Sequence, residues 1–102
     1  MKEFDIFVPL SYNDGSPVGA KKLRDLRVRL LEYFNGVTFF PQPNEGYWRV
    51  GDVTYLDAIV IYRVVTDKVR PARQFLKQLK EEMKHIFQQK DIFIVERDVN
   101  LL

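Results

Sequence analysis

Apolar residues in this chain switch between two spacings, and the order of the switches limits the fold more than any motif does. In "FDIFVPL", Phe4, Ile6, Val8 and Leu10 alternate with Asp5, Phe7 and Pro9, the period of a half-buried strand. From Pro17 to Asn35 the spacing becomes three and four, with Leu23, Leu26, Leu30 and Phe34 on one stripe and Leu31 widening it. Ser16-Pro17 reads as an N-cap with proline at the first helical position, and Asn35-Gly36 as the stop. "VTFF" (37–40) is strand-like, and "PQPNEG" is expected to break it. "YWRV" and "VTYLDAIVIYRVV" are strands joined by Gly51-Asp52, a two-residue hairpin with glycine first. Arg70-Pro71 opens a second helix to about Gln89, with Ala72, Phe75, Leu76, Leu79, Met83, Ile86 and Phe87 on its stripe. "DIFIVERDV" closes the pattern as a last strand.

The order β-α-β-β-α-β predicts an α+β, ferredoxin-like two-layer sandwich. Its four-stranded antiparallel sheet carries both helices on one face, with an extra hairpin around residues 46–56. At 102 residues, with no repeat or linker, the chain is expected to be a single domain, 1–102, able to bury one core.

Composition excludes more than it suggests. The chain has no cysteine, so disulfides, thiol nucleophiles and cysteine-based zinc sites are ruled out. Met1–Leu10 lacks the apolar stretch of a secretory signal, and no run approaches the ~18 apolar residues of a membrane span. A soluble, cytoplasmic protein without membrane contact is expected. The net charge of +2 is too small to announce nucleic-acid binding. The basic residues of the two helices are interleaved with Asp25, Glu32, Glu81 and Glu82, as on solvated helix faces. His85, the only histidine, follows Glu81 by four residues on a helix exterior. No catalytic triad, phosphate loop or paired-carboxylate motif is present, so neither a cofactor nor a catalytic residue is expected.

With both helices on one sheet face, function falls to the other. Alternation places Asp57, Ile59, Ile61 and Arg63 of the third strand there, with Asp5 and Phe7 of the first. Phe7, Ile59 and Ile61 form an apolar patch between charges, a surface expected to be covered. The leading expectation is a binding or assembly protein that forms a homodimer through this face, with Trp48 of the hairpin as a contact. The alternative is a sensor or dimeric-barrel-like enzyme. Its pocket would lie between sheet and hairpin, lined by Phe7, Trp48, Tyr55, Asp57 and Arg63, with Arg63 suited to a small anionic ligand. A third reading is a metal-dependent nuclease using Asp5 across a dimer axis.

Three resemblances bear on these readings. "IFVPLS" resembles the first-strand signature of the RNA-recognition motif, but "YLDAIVIY" lacks the aromatics on which that motif stacks bases. Asp5 resembles the first-strand aspartate of CRISPR-associated nucleases of this fold, which would imply a metal shared by two protomers. Here the aspartate sits earlier in the strand, and the residues after "VPL" differ. The junction "LLEYFNGVTFF", followed by "GYW" and an aspartate, resembles small bacterial ferredoxin-like proteins over residues 30–65. That likeness implies a fold and no activity.

Overall fold

A computed structural model describes residues 1–102. Its elements are β1 (Lys2–Pro9), α1 (Ala20–Phe34), β2 (Thr38–Val50), β3 (Val53–Thr66), α2 (Val69–Ile86) and β4 (Ile94–Asp98). The strands form one antiparallel sheet in the order β2-β3-β1-β4, the ferredoxin-like α+β arrangement. The register Phe4↔Val64, Ile6↔Tyr62 and Val8↔Val60 lines up the inward residues of the two central strands. All six are buried in one core with Leu26 and Leu30 of α1 and Ala72, Leu76, Leu79 and Met83 of α2. Each of the larger aliphatic and Phe side chains contributes roughly 1.5–3 kcal/mol by leaving water, so the central strands and the helices carry most of the fold. Tyr62 is fully buried because its hydroxyl donates to the Leu23 carbonyl at 3.0 Å while its ring stacks on Phe39.

Several boundaries differ from the sequence expectation; α2 ends at Ile86 and β4 begins only at Ile94, leaving residues 87–93 as a connection. Helix α1 starts at Ala20, not Pro17. The Ser16 hydroxyl and amide both donate to the Asp14 carboxylate, so Ser16 is spent in a tight turn and caps nothing. Pro17 instead bridges to Ser11, and the Val18 amide donates to the Leu10 carbonyl, extending the chain before the helix begins. "PQPNEG" does not end a strand either. β2 runs through it with a register shift, because Phe40 pairs with Ile61 and Asn44 with Ile59. Pro41 and Pro43 have no amide to offer a ladder, and they fall in the bulged residues that have no partner.

The long second and third strands produce the one unusual feature. Pro9↔Ile59 is the last pair between β1 and β3, so residues 45–58 continue as a two-stranded arm with no third strand beside them. The arm turns at Gly51, whose φ of 61° suits glycine, with Asp52 on the conventional side of φ. It curls over the helix-free face. The Trp48 ring lies 6.0 Å from that of Phe93 beside β4, although β2 and β4 are opposite edges of the sheet.

Candidate functional site

Two features occupy the helix-free face. The first is an ion-pair network on the central strands. Asp5 is 2% exposed, and both its carboxylate oxygens are taken. Arg63 donates through Nε and a terminal nitrogen at 2.7 and 3.0 Å, and Arg97 donates at 2.8 Å. Glu3 closes the network against both guanidiniums, at 3.0 and 3.3 Å. The Arg63 hydrogen bond, aided by that from Arg97, holds the Asp5 carboxyl below its ordinary value despite burial, which acts the other way. The Arg63 guanidinium also lies 4.9 Å from the centre of the Phe40 ring.

This network corrects two expectations. Arg63 does not line the pocket, because its guanidinium is committed to Asp5 and Glu3, and it is not free for an anionic ligand. Asp5 is not poised as a metal ligand for a nuclease. Two guanidiniums hold both of its oxygens, and a divalent cation there would have to displace them against their positive charge.

The second feature is a cavity of about 140 Å³ under the arm. Phe7, Pro9 and Ile59 come from the sheet, Tyr47, Trp48 and Asp57 from the arm, and Gln89, Asp91 and Phe93 from the α2–β4 connection. Phe7, Trp48, Asp57 and Ile59, separated widely in sequence, thus meet in one place. Tyr55 packs edge-on against Trp48 at 6.4 Å and lines an adjoining groove of about 370 Å³, together with Val50, Asn13 and Lys90. Ile61 lies outside both, half-buried farther along the face.

The two carboxylates of the cavity differ. Asp91 accepts from the Ile92 amide at 2.9 Å and pairs with Lys80 at 3.1 Å, and the Lys80 hydrogen bond in particular lowers its pKa. Asp57 is exposed, and its carboxylate pairs with no other side chain or backbone group of the protein. The cavity therefore offers flat apolar walls and one uncommitted carboxylate, with no lysine or arginine among the lining residues. Such a site can stack a planar ring and accept hydrogen bonds from hydroxyl or amino groups, or offset a positive charge. His85, exposed on α2, takes no part.

No family model matches the chain, and no curated protein does. Two solved structures do. One is a phage SAM lyase in complex with S-methyl-5'-thioadenosine, at a TM-score of 0.71 and 12% identity, covering 95% of this chain and 80% of that one. The other is a phage SAM lyase in its apo state, at a TM-score of 0.66 and 14% identity, covering 94% and 78%. The chain is similar in fold to phage SAM lyases. At such identities the likeness is one of fold alone, and no residue role transfers with it. The sequence resemblance to small bacterial proteins is likewise supported only as far as the fold, since no family stands behind it.

Gln89, Asp91 and Phe93 were not anticipated from sequence. The sequence put Gln89 at the end of the second helix and Asp91 and Phe93 in the last strand, but α2 ends at Ile86 and β4 begins at Ile94, so all three lie in the connection that forms the cavity wall. The only available signal was Phe93, which continues the β4 alternation outward from Ile94 to the face occupied by Phe7.

Proposed function

We propose that this protein binds a small molecule in the cavity beneath its arm, a planar nucleoside-like compound that is neutral or cationic. The observation that carries the reading is the set of aromatic walls from three parts of the chain around the partnerless Asp57. A ring stacked on Trp48 with its edge toward Phe93, or the reverse, would bury apolar faces now open to water, and Asp57 would accept from a ribose hydroxyl or an amino group. The adjoining groove, at about 370 Å³, has the size of ordinary small-molecule sites and would hold the remainder of such a ligand. A protein similar in fold was solved with S-methyl-5'-thioadenosine, an uncharged compound of this kind, which makes it the first probe. Asp57 and Asp91, with no cation lining the cavity itself and only Lys90 in the adjoining groove, argue against an anion.

Titration calorimetry should give saturable binding of S-methyl-5'-thioadenosine and weaker binding of adenosine 5'-monophosphate, which adds a phosphate. Trp48→Ala should weaken binding about tenfold or more, and Asp57→Asn by about tenfold, the scale for a stacked ring or a hydrogen bond to a charged group. Undiminished binding in both variants would place the ligand elsewhere; no binding of either compound would sink the reading.

Assembly as a homodimer is the second reading, and the surface of the arm favours it. Tyr47, Val50, Val53 and Leu56 are all more than half exposed, on an arm that no third strand joins. The centre of the open face is less suited to the role, since Phe7 and Ile61 are half-buried and its charges pair internally. Light scattering on the wild type, Leu56→Asp and Ile61→Arg separates the cases. A wild-type dimer that Leu56→Asp converts to a folded monomer assigns the interface to the arm, and one that only Ile61→Arg converts assigns it to the sheet face. A wild-type monomer removes assembly as a function.

A further inference from the structure

Away from the cavity, α2 and β4 form a second concave surface with a different chemistry. Arg70, Arg73, Lys77, Lys80 and Lys84 recur at three, four, three and four residues, so the helix gathers them into one row along its length. Read from sequence they looked like an ordinary solvated face, because the acidic residues between them interrupt the string but not the row. Three of the five lean toward β4 and the connection before it. Arg73 reaches Glu96 at 3.0 Å, Lys80 reaches Asp91 at 3.1 Å, and Lys84 lies 4.0 Å from the same carboxylate. Arg70 and Lys77 have no acidic partner. Beneath the row is a groove of about 440 Å³, with Phe4, Leu76 and Ile94 as its apolar lining.

One wall of this groove is the free edge of the sheet, since β4 pairs with β1 on one side only. The Phe7 amide donates to the Phe93 carbonyl, and the Val99 amide to the Met1 carbonyl. In an antiparallel ladder the hydrogen-bonded pairs alternate, so the odd-numbered residues of β4 direct their backbone groups to β1. Those of Ile94, Glu96 and Asp98 point outward, unpaired. A strand edge beside a helix, with an apolar floor between them, is the geometry that takes up an extended peptide as an added strand.

We infer that the groove between α2 and the β4 edge binds an extended acidic peptide segment, which pairs with β4 as a fifth strand. Its backbone takes the outward groups of Ile94, Glu96 and Asp98. Its apolar side chains enter the floor, and its carboxylates meet Lys77 and the rest of the row. Charge selects the partner: the row holds five cations, and Glu81, Asp91 and Glu96 are the carboxylates that pair with it. A nucleic acid backbone would also be drawn to the row, but it has no use for a ladder of strand amides; Glu96 and Asp98 at the edge are already paired with Arg73 and Lys2. The inference is independent of the cavity and of its ligand.

The test is fluorescence anisotropy with the full chain and a labelled, end-blocked peptide of alternating glutamate and valine. The peptide should bind. An alternating lysine–valine peptide should not, and N-methylation of alternate residues on the pairing edge of the Glu-Val peptide should cost about tenfold or more by removing the ladder. Lys77→Glu, at an exposed position with no partner to lose, should cost a similar factor. Glu96→Pro should weaken binding where Glu96→Ala does not, because both lose the ion pair to Arg73 but only proline removes the outward amide. Three results would overturn the inference: no binding of the acidic peptide, equal binding of its N-methylated form, or binding of a single-stranded oligothymidylate, lost in Lys77→Glu, in place of the peptide.

Discussion

Asp5→Asn is expected to destabilise the protein by about 2–3 kcal/mol, a larger loss than its distance from the cavity suggests. The amide keeps the shape of the carboxylate but leaves Arg63 and Arg97 facing each other across a position that is 2% exposed. Removing one partner of a buried ion pair costs about 3–5 kcal/mol. The lower figure applies because the Arg63 and Arg97 side chains are 34% and 48% exposed and Glu3 still neutralises part of their charge. Urea denaturation should show a lower midpoint with an unchanged slope, and in a chain of this length the melting temperature should fall by roughly 10 °C or more. The double variant Asp5→Asn/Arg63→Met should lose less than the sum of its parts, because it also removes one of the stranded charges.

The same pair sets a pH dependence. The Asp5 carboxyl is held below its unfolded value of about 4, so its contribution is complete above that pH and is lost as pH falls through the lower, folded value. Wild type should therefore lose stability in acid more steeply than Asp5→Asn, and the two should converge below pH ~4. Parallel acid profiles would show that Asp5 is not the group responsible.

What could be read from sequence divides along physical lines. The two faces of β1 and β3 were legible because Asp5, Asp57 and Arg63 could not all sit under the helices, and the register now pairs Phe4 with Val64 and Asp5 with Arg63 as that alternation requires. The last strand was not legible, since Glu96 and Arg97 make both of its faces polar. Only the pairing Ile6↔Ile94 sends Glu96 toward Arg73 on α2 and Arg97 toward Asp5. That pairing also explains the misplacement of Arg63. Its partners lie on a neighbouring strand 58 residues away, and without the register it looked free for a ligand. Ser16 was misread for a more local reason, because Asp14 two residues earlier competes for the hydroxyl that would otherwise cap a helix. Trp48 was recognised as out of the ordinary, but the curl of the arm that brings it to Phe93 is a property of strands longer than their neighbours, and no local pattern encodes it.

The connection after α2 joins the core to the cavity, and Phe87 is its anchor. This side chain is 1% exposed, at the point where the helix ends, and its amide still donates to the Met83 carbonyl. The chain then turns through Gln88, a non-glycine residue at a φ of 52°, and runs into Gln89, Asp91 and Phe93 on the cavity wall. Phe87→Ala should cost about 3–5 kcal/mol through lost transfer energy and the cavity left behind. Phe87→Leu keeps most of the volume and should remain folded, with a loss near 1 kcal/mol. The informative comparison is with Leu30→Val on α1, also fully buried but remote from the cavity. Loosening at Phe87 frees the segment that holds Phe93 against Trp48, so Phe87→Leu should weaken S-methyl-5'-thioadenosine binding several-fold at a stability where Leu30→Val leaves it unchanged. Equal effects of the two would mean that global stability governs the cavity and that Phe87 has no special part in holding its wall.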